Sequence, residues 1–473
     1  MVFSAPLFLF LFLPIFFLFY YLFPQRFKNC ILLIFSVLFY TWGAPEFIIL
    51  FLVSIFADFV ITRQMAMASD GKRRCWLLLS LFLNISLLAY FKYANFFVDN
   101  CTIFFSWLGI ELPDWKRVVL PIGISFFTFQ KISYTIDLYR KSCQPLQRIQ
   151  DYAVYILMFP QLIAGPIVRF KEVEQQLLHR NEANAFDARV IGFIRFVVGL
   201  SKKVLIANVL GEQVDSIFSV SPNDFSTGTA WIGILAYTFQ IYFDFSGYSD
   251  MALGLGKMMG FTFPENFNFP YISRSISEFW KRWHITLGKW MMDYLYIPLG
   301  GNRISRKRTY INLWLVFLIS GLWHGDAWTF VAWGIFHGFF IVADKLFLLK
   351  FLNRIGKIPA FIVTFFIVVM GWVIFRADSL QYAFLYFRKL FICEFRPDEF
   401  LFDSRFLFIF ILAFIFSFMG LISKLETLPQ RVFDENASIV RILLFFIIAI
   451  LLYLLCGGAI LSGSFNPFIY FRF

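Results

Sequence analysis

Apolar residues along this chain come in long unbroken blocks, without the two-residue alternation of a half-buried strand. Bounded by charges or prolines, the blocks fall near 6–23, 29–43, 47–62, 75–98, 119–139, 190–215, 230–255, 309–323, 327–348, 359–377, 405–422 and 439–461. A helix rises about 1.5 Å per residue, so ~20 apolar residues cross a hydrocarbon layer about 30 Å thick. The pattern predicts an all-α polytopic membrane protein with about ten to twelve transmembrane helices. Two stretches do not fit the series: Phe159-Pro-Gln-Leu-Ile-Ala-Gly-Pro166, broken by two prolines, and the charged, aromatic stretch 276–298. Irregular backbone at membrane depth is tolerated only against protein or a water-filled cavity. Both stretches are therefore expected to be re-entrant or interfacial.

Composition narrows the class further. Of 473 residues, 60% are hydrophobic and only 15% charged, which excludes a soluble single-domain enzyme. No Gly/Ser/Pro-rich linker or fixed-period repeat divides the chain, so a single membrane-embedded domain is expected over 1–473. Six scattered cysteines without C-x-x-C spacing indicate neither a disulfide framework nor a metal site. No Lys or Arg precedes Arg26, so 6–23 lacks the basic start of a cleavable signal and reads as a retained first span. With the N-terminus outside, Arg26/Lys28, Lys72/Arg73/Arg74, Arg140/Lys141/Arg148 and Lys350/Arg354/Lys357 all fall on the inner side, and 216–229, without Lys or Arg, falls on the outer. Twelve crossings then place both termini outside.

The net charge of +12 is uneven: the segment from Tyr271 to Tyr310 carries eight basic residues against two acids, a balance of +6. Positive-inside bias toward anionic lipid headgroups explains part of this. The sharper reading is a cytoplasmic mouth, including Lys281, Arg282, Arg303, Arg306 and Arg308, that attracts a phosphorylated donor. No nucleic-acid partner is expected.

Of four histidines, His179 lies in a polar loop. His284 lies in Ser277-Glu-Phe-Trp-Lys-Arg-Trp-His-Ile-Thr-Leu-Gly288, read as an amphipathic interfacial helix in which Glu278 and Arg282 pair at i,i+4 while Trp280 and His284 share the neighbouring face. His324 lies in Ser320-Gly-Leu-Trp-His-Gly-Asp326, at the junction of two apolar blocks, where an ionisable residue marks function by default. A buried neutral imidazole there suits general-base activation of a hydroxyl. His337, thirteen residues on, would point away from His324 if one helix held both. Asp244 and Asp250 lie within a span, where a structural cap or ion pair is expected, and Asp326 is placed to raise the basicity of His324.

Several runs resemble the signature of the membrane-bound O-acyltransferase superfamily, within it the alginate O-acetyltransferase branch: Glu278-Phe-Trp-Lys-Arg-Trp-His284, Asp293-Tyr-Leu-Tyr-Ile-Pro-Leu-Gly-Gly-Asn-Arg303 and Gly321-Leu-Trp-His-Gly325. Leu120-Pro-Ile-Gly-Ile-Ser-Phe-Phe127, Phe159 to Pro166, Asp244-Phe-Ser-Gly-Tyr-Ser-Asp-Met-Ala-Leu-Gly254 and Gly371-Trp-Val-Ile-Phe-Arg376 extend the resemblance over most of the chain. It implies a fold around a central tunnel, with core motifs in 271–340, His324 catalytic and His284 supporting it from the cytoplasmic side. It also implies a bacterial inner-membrane O-acetyltransferase with acetyl-CoA as donor and no bound cofactor. The acceptor would be an exported polysaccharide such as alginate, cellulose or peptidoglycan, reached through a periplasmic or extracellular acetylesterase-like partner.

The aromatic tail 464–473 ends Asn466-Pro-Phe-Ile-Tyr-Phe-Arg-Phe473. It resembles the terminus of the small partner peptide of lipoteichoic-acid D-alanylation, with Arg472 in place of Glu, and the resemblance implies Tyr470 as an acyl relay. A phenol of pKa about 10 is a better leaving group than an aliphatic alcohol, so an acetyl-tyrosine ester would be an activated donor. Two alternatives remain from sequence: a polytopic transporter or flippase for a polysaccharide or its lipid carrier, and a member of the superfamily using a D-alanyl donor or a lipid or protein substrate.

Overall fold

The structure, a computed structural model, describes residues 2–163, 165–180, 185–392, 402–434, 437–463 and 465. Every regular element among them is a helix. Five helices are long and apolar enough to cross a membrane by length and composition alone: Pro45–Met67, Asp70–Trp107, Lys357–Arg376, Ser404–Leu421 and Ile439–Ser462. The last presents Leu443, Leu444, Ile447, Leu451, Leu454 and Leu455 on its exposed side, a continuous apolar face suited to lipid. The chain is a multi-pass membrane protein. The other expected spans are also largely helical; Phe8–Leu22 is apolar but shorter than a full crossing, and Lys28–Gly43 and Ile124–Tyr139 have 16 residues each.

The described chain divides into two compact units. The first unit runs from Leu7 to Asn181. In it, helix Ile48–Met67 carries a buried Asp58 that accepts hydrogen bonds from Ser80 Oγ (2.6 Å), Asn84 Nδ2 (3.0 Å) and Tyr152 OH (2.5 Å). The charge is thus compensated by three donors from other helices. The stretch after Met158 forms a short buried helix, Phe159–Leu162, packed against protein as its prolines required.

The second unit holds Val2–Pro6 and residues 182–473. Its centre is the helix Thr227–Met258, buried over most of its length. Helix Ala185–Ser201 crosses it with two reciprocal glycine contacts. A Cβ on Gly199 would lie 2.5 Å from the Gly247 carbonyl oxygen, and one on Gly192 would lie 2.8 Å from that of Gly254. The seven-residue spacing on both helices therefore sets a backbone approach that no larger residue permits. Ala185–Ser201 then passes through a π-helical segment, Lys202–Ala207, into Asn208–Phe218. The first two residues of that wide turn face the central helix: Lys203 Nζ pairs with Asp244 (2.7 Å), with 4% and 2% of the side chains exposed, and Lys202 Nζ pairs with Asp250 (2.6 Å). Arg195 completes the pairing of Asp250 at 2.9 Å. Both acids are structural ion-pair partners, as their position in a span predicted.

Helices Arg306–His324 and Trp328–Ala343 form a hairpin joined at Gly325. A Cβ on Gly334 would lie 2.6 Å from the carbonyl oxygen of Phe317, so the two helices touch backbone to backbone. Helix Lys357–Arg376 lies alongside, and a Cβ on Gly371 would meet His337 Nε2 at 2.8 Å.

Candidate active site

The hairpin sets the position of His324. The helix ends on His324, and Gly325 follows in extended conformation against the ring of Phe330. The imidazole, 7% exposed, is surrounded edge-to-face by the rings of Trp323 (centroids 4.9 Å apart), Trp333 (5.1 Å) and Phe375 (5.4 Å). These three rings come from both arms of the hairpin and from Lys357–Arg376. Such a wall excludes water and lowers the local dielectric, which strengthens every polar interaction made there. Asp326, expected to act on His324, is exposed instead, because the turn after Gly325 carries it outward.

His284 corrects the expectation of one helix over 277–288. The helix Ile276–Arg282 stops, His284 adopts φ 45° and ψ 52°, and a new helix, Ile285–Met291, begins. A non-glycine residue in the left-handed region is held there by its surroundings, a pattern concentrated at functional sites. Here the holding group is Asn266. Its Oδ1 accepts from Thr286 N (3.2 Å) and Thr286 Oγ1 (2.8 Å) and lies 3.1 Å from His284 Nδ1, while its Nδ2 donates to Ser249 Oγ (3.0 Å). The Thr286 backbone N–H can only donate, so the atom facing it is the oxygen, and His284 must donate through Nδ1–H. The ring's lone pair is then on Nε2. Burial pushes the His284 imidazole down to about 3, so it is neutral near pH 7.

The same break separates Trp280 from His284. Trp280 packs on His337 (5.0 Å) and Trp333 (5.5 Å), while His284 packs on Phe245 (4.6 Å) and Trp323 (6.1 Å). Trp323 therefore touches both His284 and His324, and the two histidines named by sequence lie one indole apart. His337, expected to point away, is also near: it meets Trp333 edge-to-face (4.8 Å), and the Trp333 ring also meets His324. One continuous helix would set the two rings apart, but the turn at Gly325 reverses the chain.

The basic candidates separate into two groups. Lys281, Arg303, Arg306 and Arg308 are exposed. Arg282 forms the expected i,i+4 pair with Glu278 (3.0 Å), and it also binds Glu426 (3.0 Å) and the Asn268 carbonyl oxygen (3.3 Å), so its guanidinium ties three segments together. Ser305 Oγ accepts from Arg308 N and caps the helix carrying Arg306, Lys307 and Arg308 in its first turn. Cations at the positive end of a helix oppose its dipole, an arrangement that an approaching anion relieves. Tyr470 lies outside the described residues. Sequence reasoning missed Asn266, Trp333 and Phe375. Asn266 stands in an ordinary-looking Asn-Phe-Asn-Phe loop, and no spacing rule ties it to His284.

Residues 127–383 match the profile of the membrane-bound O-acyltransferase family. A protein of Pseudomonas aeruginosa named probable alginate O-acetylase is 46% identical over 393 residues, covering 83% of this chain and 75% of that protein. The peptidoglycan O-acetyltransferase of Helicobacter pylori is 38% identical over 417 residues, covering 81% of this chain and 78% of that protein. The teichoic acid D-alanyltransferase of Bacillus subtilis is 29% identical over 283 residues, covering 55% and 70%. The family match spans the central helix, both histidine loops and the hairpin, so the geometry above is that of an acyl-transfer enzyme rather than a transporter. The chain belongs to the membrane-bound O-acyltransferase family.

Proposed function

We propose that this enzyme O-acetylates an exported polysaccharide from the bacterial inner membrane, taking acetyl groups from acetyl-CoA on the cytoplasmic side. The observation that carries the reading is His324, an imidazole sealed by three aromatic rings at a helix turn and one indole from neutral His284. His324 takes the proton of the attacking hydroxyl, whose oxygen then adds to the thioester carbonyl carbon. The tetrahedral adduct expels the thiolate, which recovers a proton. His284, fixed as the Nδ1–H tautomer by Asn266, presents Nε2 as a second acceptor that supports binding and orientation. Lys281, Arg303, Arg306 and Arg308 supply counter-charge for the donor's phosphates, and the first helical turn from Arg306 adds its N–H groups.

The relatives named for alginate and peptidoglycan support a polysaccharide acceptor. With both termini outside, Tyr470 stands at the outer surface as the relay that receives the acetyl group. An acetylesterase-like partner in the periplasm then takes it from the phenol ester. A second reading, a D-alanyl donor, is favoured by the teichoic acid D-alanyltransferase relatives, whose identity and coverage are lower. Purified enzyme in lipid nanodiscs, offered radiolabelled acetyl-CoA or a D-alanyl thioester of a carrier protein, separates the two. Acetyl-CoA consumption that depends on His324 is expected, and use of the D-alanyl thioester alone would replace this reading by the second.

A further inference from the structure

Beside His324 lies a group of three rings whose nitrogens play no part in the scheme above. Trp280, Trp333 and His337 touch each other in a closed triangle, with centroids 5.5, 5.0 and 4.8 Å apart and interplanar angles of 82°, 88° and 66°. Trp333 and His337 are each 1% exposed. Trp280 Nε1, Trp333 Nε1 and His337 Nδ1 are all buried without a hydrogen-bond partner among the described residues. Leaving one buried donor unsatisfied costs about 1–3 kcal/mol, and isolated cases call for an explanation. Three in mutually touching rings, one of them packed edge-on against His324, call for a common one.

The rings are also built in place. His337 can occupy its position only because residue 371 is glycine, whose Cβ would lie 2.8 Å from His337 Nε2. The helix break before His284 takes His284 to a different set of rings, while Trp280 packs on Trp333 and His337. What the two indoles hold and phenylalanine lacks is an N–H donor that carries no formal charge. Neutral donors in a dry site suit an oxygen that gains negative charge during reaction, because they stabilise the charge as it forms without demanding an anion beforehand.

We propose that Trp280, Trp333 and His337 form the binding site for the carbonyl oxygen of the acyl group processed at His324. The inference rests on the O-acyl-transfer reading of His324. As the acceptor oxygen adds to the carbonyl carbon, the π pair moves to the carbonyl oxygen and the hydroxyl proton goes to His324. The Nε1–H groups of the two tryptophans donate to the resulting oxyanion. When the carbon–sulfur bond breaks, that pair re-forms the C=O bond and the thiolate takes a proton from His324. His337 holds its nitrogen on the same oxygen and keeps both indoles in place, and the donor set is selective for a small acyl carbonyl rather than for a charged headgroup.

The test uses full-length enzyme in nanodiscs, assayed for acetyl-CoA turnover, with Trp280→Phe, Trp333→Phe and His337→Phe, each of which keeps a ring and removes the nitrogen. Phe336→Leu, which alters a ring packed on His337 at 5.3 Å without touching a polar atom, serves as the packing control. The expected result is a fall in kcat of about 10²–10³-fold for each tryptophan variant with KM nearly unchanged, a smaller fall for His337→Phe, and wild-type kcat for Phe336→Leu. Unchanged kcat in the phenylalanine variants would overturn the inference and leave the three nitrogens to bound water. An equal loss in Phe336→Leu would overturn it in favour of packing. Should the tryptophan variants not fold, His337→Phe decides. Wild-type enzyme that does not consume acetyl-CoA would overturn the acetyl-transfer reading and this inference together, whereas wild-type turnover that is unchanged in the phenylalanine variants removes the inference alone.

Discussion

Replacing Asn266 tests the link between fold and site most sharply, because one side chain serves four hydrogen-bond contacts. Asn266→Ala removes the acceptor of Thr286 N, Thr286 Oγ1 and His284 Nδ1, and the donor to Ser249. The asparagine is 1% exposed, so water does not freely replace it. At about 1 kcal/mol for each hydrogen bond lost, the three that Asn266 accepts add to a destabilisation of about 3 kcal/mol. The functional effect follows from geometry. Without the acceptor, the Nδ1–H tautomer and the left-handed backbone at His284 lose the Asn266 hydrogen bonds that favour them. Thermal melting of the purified protein should fall clearly, and turnover should fall to the level of His284→Ala. A double-mutant cycle then separates cause from coincidence. If Asn266 acts through His284, Asn266→Ala combined with His284→Ala should lose no more activity than His284→Ala alone. Wild-type melting in Asn266→Ala, or losses that multiply in the double variant, would refute the reasoning.

Other expectations reach further along the chain. Reversing Arg303, Arg306 and Arg308 to Glu should weaken acetyl-CoA use and reduce its salt dependence in protein whose membrane orientation is checked in parallel, since screened attraction is what these exposed cations supply. Gly199→Ala places a methyl 2.5 Å from the Gly247 carbonyl oxygen and should destabilise the protein by about 1–3 kcal/mol or more, read as lost folded protein on size exclusion. Tyr470→Phe should abolish polymer acetylation while leaving binding of the partner enzyme intact, and mass spectrometry of the wild-type C-terminal peptide after exposure to acetyl-CoA should find an added acetyl group.

Much of the architecture was legible in the apolar blocks, because a helix that meets lipid must be apolar along its length. The largely exposed helices Ser404–Leu421 and Ile439–Ser462 are examples. Interior helices were legible mainly through their exceptions: Asp244 and Asp250 within a span implied partners, and Lys203, Lys202 and Arg195 are those partners. His324 and His284 were readable because ionisable groups at membrane depth are rare, and because their flanking runs resemble a family signature. Their surroundings were not readable. Periodicity within one helix placed His337 away from His324, and only the reversal at Gly325 brings both onto Trp333. Likewise the i,i+4 rule found Glu278 and Arg282 but not the end of the helix after Arg282, which depends on Asn266 and Thr286 across a non-local contact.

The claim that His324 is the base of the acyl transfer is tested by His324→Ala, with His324→Gln as a polar control, in monodisperse protein whose melting matches the wild type. Labelled acetyl-CoA is supplied, and acetyl appearing on the enzyme, the partner and the polymer is counted. The expected result is loss of transfer to every acceptor in both variants, with donor binding retained, since the thioester and its phosphates are held elsewhere. Folded His324→Ala protein that still transfers acetyl groups at the wild-type rate would contradict the assignment and leave His324 as a packed residue of the hairpin turn.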